Sequence, residues 1–277
     1  MALQEALLNR PGVIFVLALT LLSLSTYLGA AFRRWRPLRD DERETFDLMV
    51  GATLTLLGLI IGFTFSIAGA RYDQRKNDEV REANAIGTEV VRAALLPPEA
   101  AAEVKALLRR YLDERILFYE AQQESSLGSI DAATSRLQQQ MWSVVQSVAE
   151  TRPTPVVTLV LSGMNDVLNA EGYTQAAWWY RLPEGAWGLM AIISIICCML
   201  IGYATRTARG SLFVLVPVAL SIAFFFIADI DSPRHGLIQT EPHNLVRLVS
   251  TMQQGCGATH SSDCERAGIT FSSASDR

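Results

Sequence analysis

Apolar residues follow two different patterns along this chain. Four runs carry no charged residue at all: 11–32, 48–70, 185–205 and 210–228, of 22, 23, 21 and 19 residues. A hydrocarbon core about 30 Å thick is crossed by roughly 20 helical residues rising about 1.5 Å each. Each run therefore has the length of a membrane span. Between the second and third runs the pattern changes, and apolar residues recur every third or fourth position among charged ones. The two patterns predict an all-α membrane protein with four transmembrane helices and a helical extramembrane domain inserted between the second and third. Only Arg206 to Arg209 separate the last two runs, so these form an antiparallel hairpin. The expected organisation is 1–46 for the first helix and a basic loop, 47–70 for the second helix, and 71–184 for the helical domain. A transmembrane hairpin at 185–229 and a polar C-terminal tail at 230–277 follow.

Within the inserted domain, the second membrane helix is expected to continue through 80–96, with Val80, Ala83, Val90 and Ala94 at helical spacing, until Pro97-Pro98 ends it. Val104, Leu108, Tyr111 and Phe118 mark a helix over 99–123. After a turn at 125–129, Ile130, Thr134, Leu137, Met141, Val144 and Val148 mark another, which Pro153 and Pro155 stop. Val157, Leu161, Met164 and Leu168 mark a fourth over 156–170. Such stripes are the signature of helix-on-helix cores. Trp178, Trp179, Tyr180 and Trp187 stand where the chain re-enters the bilayer, where amphipathic rings act as interfacial anchors.

Composition sharpens this picture. Half of the 277 residues are hydrophobic, 19% are charged, and mean hydropathy is +0.22, above the range of ordinary soluble domains. A net charge of −4 gives no footprint for nucleic-acid binding. The basic residues around the first run mostly follow it (Arg33, Arg34, Arg36, Arg39), opposite to a cleaved signal peptide, so the helix is expected to be retained. Short-loop arginines weigh most in the positive-inside rule. They place both short loops in the cytoplasm and the large domain and C-terminus outside. No Gly-rich nucleotide loop, HExxH or nucleophile elbow is present, which excludes the commonest enzyme classes. No charge lies inside any span, which argues against proton-coupled transport through a buried carboxylate. Cys256 and Cys264 flank a small polar segment containing His260; a disulfide, two free thiols or a metal site all fit that spacing.

The second span is the distinctive one. Gly58, Gly62 and Gly69 with Ser66 are small residues near helical spacing, which allow close helix contact in lipid. Thr55, Leu59 and Phe63 share a face; turned to a symmetry axis, they would form a hydrophobic constriction of the kind that gates ions by dewetting. Packing against helices or lipid explains the same pattern. The run Gly62-Phe63-Thr64-Phe65-Ser66, then Arg71-Tyr72 and Glu82-Ala83-Asn84-Ala85-Ile86-Gly87-Thr88, resembles the bestrophin-like membrane proteins of bacteria. So do Leu107-Leu108-Arg109-Arg110-Tyr111-Leu112 and Asp229-Ile230-Asp231-Ser232-Pro233. The resemblance implies a multi-pass protein of the bacterial inner membrane, in contact with the lipid bilayer. By analogy with true bestrophins, which are pentameric anion channels with a cytosolic helical domain, it implies a homo-oligomeric channel lined at Thr55, Leu59 and Phe63. It also points to Asp229 and Asp231 as the remnant of an acidic calcium-binding run. That run is reduced here to Asp-Ile-Asp, which argues against calcium and leaves no cofactor expected. A non-conducting sensor or scaffold, with the helical domain as its binding module, is the alternative.

Overall fold

A computed structural model describes residues 10–37, 39, 41–205, 212–234 and 236–258, and among them there is no strand. The helices are α1 (Pro11–Trp35), α2 (Arg43–Arg92), α3 (Pro98–Glu120), α4 (Glu124–Thr151), α5 (Pro155–Trp179), α6 (Glu184–Ala204), α7 (Leu212–Asp231) and α8 (His243–Ala258). A 3-10 turn, Ala93–Leu95, follows α2. Among the described residues four helices are long and apolar enough to cross a membrane, and they fall on the four charge-free runs. The Arg206–Arg209 connection lies outside the described residues, as do Cys264 and His260. Cys256 falls in α8, so the proposed disulfide stays an expectation.

The chain divides into two compact units. The first comprises Met1–Asp73 and Tyr180–Gln239. Proline opens α1, where its missing N–H costs nothing and its fixed φ suits the first turn. The helix then lies against α6 with backbones in near contact. A Cβ on Gly29 would overlap the Met199 carbonyl, and one on Gly202 would overlap the Thr26 carbonyl. Small residues thus set this crossing, as expected where lipid supplies no hydrophobic drive for association. Ser25 donates to the Ile195 carbonyl at 2.8 Å, and Arg33 donates to the Tyr203 and Ala204 carbonyls at 2.8 and 2.5 Å. A cation on the last carbonyls of α6 satisfies acceptors the helix leaves open and complements its dipole. Ala18, Met190, Phe224, Ile227 and Ala68 form the unit's apolar core.

The second unit comprises Gln74–Trp179 and Thr240–Arg277. Its core gathers Val104, Leu108, Tyr111 and Leu112 of α3, Met141 and Val145 of α4, Val160, Met164 and Val167 of α5, and Leu245 of α8. The α3 stripe is as the spacing predicts. On α5, Val157 and Met164 of the expected stripe are buried, Leu161 and Leu168 are only partly so, and Val160 and Val167 complete the buried face. Three readings are corrected. Residues 125–129 are not a turn but the first turns of α4, where Ser126 and Ser129 bond back to the Gln123 and Ser126 carbonyls; the break is at 121–123. Helix α5 runs nine residues past the expected end, so Trp178 is 5% exposed in this core, against Phe118 and Tyr119 at 5.3 and 5.4 Å between ring centres. It is a core residue of the helical unit, whereas Trp179 and Tyr180 are exposed. The tail contains α8, whose Leu245, Leu248, Val249 and Met252 repeat at helical spacing and join the same core.

Candidate pore helix and its buried charges

Helix α2 runs unbroken for 50 residues. Its apolar half belongs to the first unit and its polar half to the second, and each half behaves unlike its composition. In the apolar half, Leu57, Thr64 and Ala68 are buried, with Ile60 and Ile61 partly so. At about 100° per residue these share one face. Roughly opposite lie Thr55, Leu59, Gly62 and Ser66, with Phe63 beside them. Leu59 is 54% and Phe63 62% exposed, and Thr55 is exposed with its hydroxyl spent on the Gly51 carbonyl. A Cβ on Gly58, Gly62 or Gly69 would meet nothing within 4 Å. Among the described residues the close contacts that those glycines allow are therefore not made; α1 and α6 use Gly29 and Gly202 for that purpose instead.

The polar half buries charge. Asp78, Glu79, Glu82 and Glu89 are between 0 and 3% exposed, and Arg75 is 1% exposed. Helical spacing puts Val80 on the stripe with Ala83 and Val90, but Val80 is 40% exposed. The inward face is Glu82, Ile86, Glu89 and Ala93, spaced 4, 3 and 4 residues apart and all 0% exposed. Glu82 seats there because later helices supply its partners, a signal absent from local periodicity. Glu82 pairs with the Arg115 guanidinium in a short charge-assisted bond, and accepts from Tyr119 at 3.2 Å and Thr174 at 3.0 Å. Burial alone would pull the Arg115 pKa down, but Glu82, Tyr111 and Glu171 hold it above its usual range. Arg115 also lies 3.6 Å from Glu171 and 4.5 Å over the Phe118 ring. Burial, then the Glu82 charge, pushes both Tyr111 and Tyr119 up, so both stay neutral hydroxyls. Glu79 serves another end: its carboxylate accepts from the Asn244 and Leu245 N–H groups at 2.8 and 3.0 Å and from the Asn244 side chain at 2.6 Å. It caps the N-terminus of α8, where donors are unsatisfied and negative charge is favoured.

Asp229 and Asp231 lie in the last turn of α7, which runs past the span end expected at 228–229, and are 1 and 4% exposed. Asp229 accepts from the Leu237 and Ile238 N–H groups at 2.6 and 3.0 Å. Asp231 accepts from Leu182 N–H at 3.0 and 3.2 Å. A Cβ on Gly236 would sit 2.6 Å from the Asp229 carbonyl, so glycine lets the chain fold back onto this carboxylate. A calcium ion requires six to eight oxygens. Two carboxylates already engaged by backbone donors do not fit that need, and among the described residues no three acidic, His or Cys side chains converge on one point. What the pair does do is fix the chain entering α6 and leaving α7.

A domain profile described as the Bestrophin-like domain matches residues 15–245. In structure, the chain resembles a bacterial bestrophin homologue from Klebsiella pneumoniae. One structure of it aligns with a TM-score of 0.63 at 13% identity, covering 92% of this chain and 97% of that one. Another gives 0.60 at 14%, covering 86 and 98%, and a third gives 0.59 at 15%, covering 93 and 98%. No curated protein matches in sequence. At these identities the structures establish a shared fold, while the profile spans most of the chain. The protein belongs to the bestrophin-like family of membrane proteins.

Proposed function

We propose that the chain assembles as a homo-oligomeric ion channel, conducting anions, with the bare face of α2 turned to the symmetry axis. The observation that carries this reading is the one-sided burial of the second span. Leu57, Thr64 and Ala68 pack into the first unit, while the opposite face offers Thr55, Leu59, Gly62 and Ser66, all exposed. A lipid-facing surface gains nothing from a row of glycines; a surface that meets other copies does. Rings of Leu59 and Phe63 would then form the dewetting constriction. In this reading calcium is not required, since Asp229 and Asp231 hold the loops through backbone donors. The short-loop arginines favour a topology with the helical unit and C-terminus outside the bacterial inner membrane. Labelling of Cys256 and Cys264 in intact cells by an impermeant thiol reagent checks this, and labelling only after lysis reverses it.

Single-channel recording of purified protein in planar bilayers, together with native mass measurement, tests the proposal. Discrete anion currents from an oligomer are expected. A monomer that passes no current under any ion gradient ends it. The alternative of a membrane-anchored scaffold draws on Val91 and Leu95, 73 and 51% exposed on the helical unit. It is favoured if a partner is recovered while Leu59→Ala and Phe63→Ala leave all behaviour unchanged.

A further inference from the structure

Glu89 stands apart from every other buried charge of α2. Its side chain is 0% exposed, and among the described residues neither carboxylate oxygen has a hydrogen-bond partner. The oxygens lie against α5 at Gly163, where a Cβ would overlap both Glu89 Oε2 and Arg92 Nη1. Glycine at 163 thus makes the space in which this carboxyl and the Arg92 side chain sit. Arg92, the nearest cation and three residues along the same helix, makes no ion pair with Glu89: its Nη1 shares the space at Gly163 but pairs at 3.6 Å with Asp166 of α5. The charged groups acting on Glu89 are therefore Arg92 from α2 and Asp166 from α5. The turn Ala93–Leu95 contributes none, and Arg247, the charged residue of α8 besides its first histidine, is exposed.

An ionised carboxylate with no donor is strongly disfavoured in a buried site, and such a group keeps its proton instead. Burial, opposed by Arg92 and reinforced by Asp166, pushes the Glu89 pKa up to about 8. We propose that Glu89 is a proton-binding latch on the seam between the end of α2 and α5, closed while its carboxyl is neutral and loosened when it ionises. On losing its proton, the carboxylate has Arg92 as its nearest counter-charge, and the new charge draws Arg92 from Asp166 toward Glu89. Either that exchange or water entering the seam separates α2 from α5 at Gly163. The direction follows from linkage. The closed state holds the proton more tightly than the open one, so the stability of closure is complete below about pH 4.5 and is lost as pH rises through about 8. Any effect on conduction rests on the proposed function, because the helix that carries the latch is also the candidate pore helix.

Hydrogen exchange of the full chain in lipid nanodiscs, from pH 5.5 to 9, tests the latch without requiring conduction. Protection factors corrected for intrinsic rates are read over 86–95 and 160–167. In the wild type they are expected to fall by up to about a hundredfold between pH 6 and 9 and to level off above pH 8. Glu89→Gln should keep full protection throughout. Asp166→Asn releases Arg92 toward Glu89 and should move the levelling to lower pH. Flat protection in the wild type, or the same pH profile in Glu89→Gln as in the wild type, overturns the proposal. If Glu89→Gln fails to fold, an unshifted profile in Asp166→Asn overturns it equally. Where exchange behaves as expected and no current is found in any variant, the latch stands and the channel reading fails.

Discussion

The two halves of α2 reverse what their composition leads one to expect. The half that lies in a membrane span leaves large apolar side chains bare, Leu59 and Phe63 among them. The half outside the span, rich in charge, buries Asp78, Glu79, Glu82 and Glu89. Exposure of apolar surface is no defect in lipid, and burial of charge is tolerable only where partners meet it. So each half points to what it faces: the first to lipid or another copy of the chain, the second to partners contributed by α3, α5 and α8. Within the second half, Glu82 and Glu89 sharpen the lesson. Seven residues apart on one face and equally buried, one is held by an arginine and two hydroxyls, while the other has no donor. Equal burial has produced a fixed ion pair in one place and a titratable group in the other.

The largest effect should come from breaking the partnered site. Arg115→Ala strands Glu82 without its counter-charge and is expected to cost about 3–5 kcal/mol of the helical unit's stability. Chemical unfolding followed by near-UV circular dichroism reads it, and a loss below about 1 kcal/mol would mean the pair is incidental. Next comes Gly163→Ala. Its methyl group collides with Glu89 and Arg92, and overpacking of this kind costs about 1–3 kcal/mol. Glu79→Gln should cost about 1 kcal/mol through the weakened cap and should show first as lost protection in α8. Glu89→Gln acts through pH alone: its gain is absent below about pH 4.5 and grows as pH rises toward about 8. It replaces a group that loses its stabilising proton through about pH 8 with one that does not titrate. Thermal midpoints of variant and wild type should therefore diverge progressively up to about pH 8 and run parallel above it.

The span-forming runs were legible because lipid imposes a length and a lack of charge that a single segment must satisfy alone. The α3 stripe was legible for a similar reason: Val104, Leu108, Tyr111 and Phe118 repeat within one helix. What escaped was set between distant segments. Glu82 finds Thr174 across 92 positions, and Glu79 finds Asn244 across 165, so no local period announces that these carboxylates face inward. Helix α8 did have a readable stripe, hidden by the polar, proline-bearing stretch before it. Trp178 stands among neighbours that look like an interfacial belt, while Phe118 and Tyr119 draw it into the core. On the candidate pore face, the sequence offered Thr55, Leu59 and Phe63 as a set. The structure adds the buried seam at Leu57, Thr64 and Ala68 that defines which face remains bare.

That seam supplies the most direct test of the central claim. In channels assembled from purified protein, single cysteines at Leu59 and at Leu57 are treated with a charged thiol reagent while anion current is recorded. Modification at Leu59→Cys should change the current within the recording, and Leu57→Cys should stay silent because its side chain is 1% exposed in the packed seam. An identical response at both positions, or a current unaffected by modified Leu59→Cys, would contradict a pore lined by this face of α2.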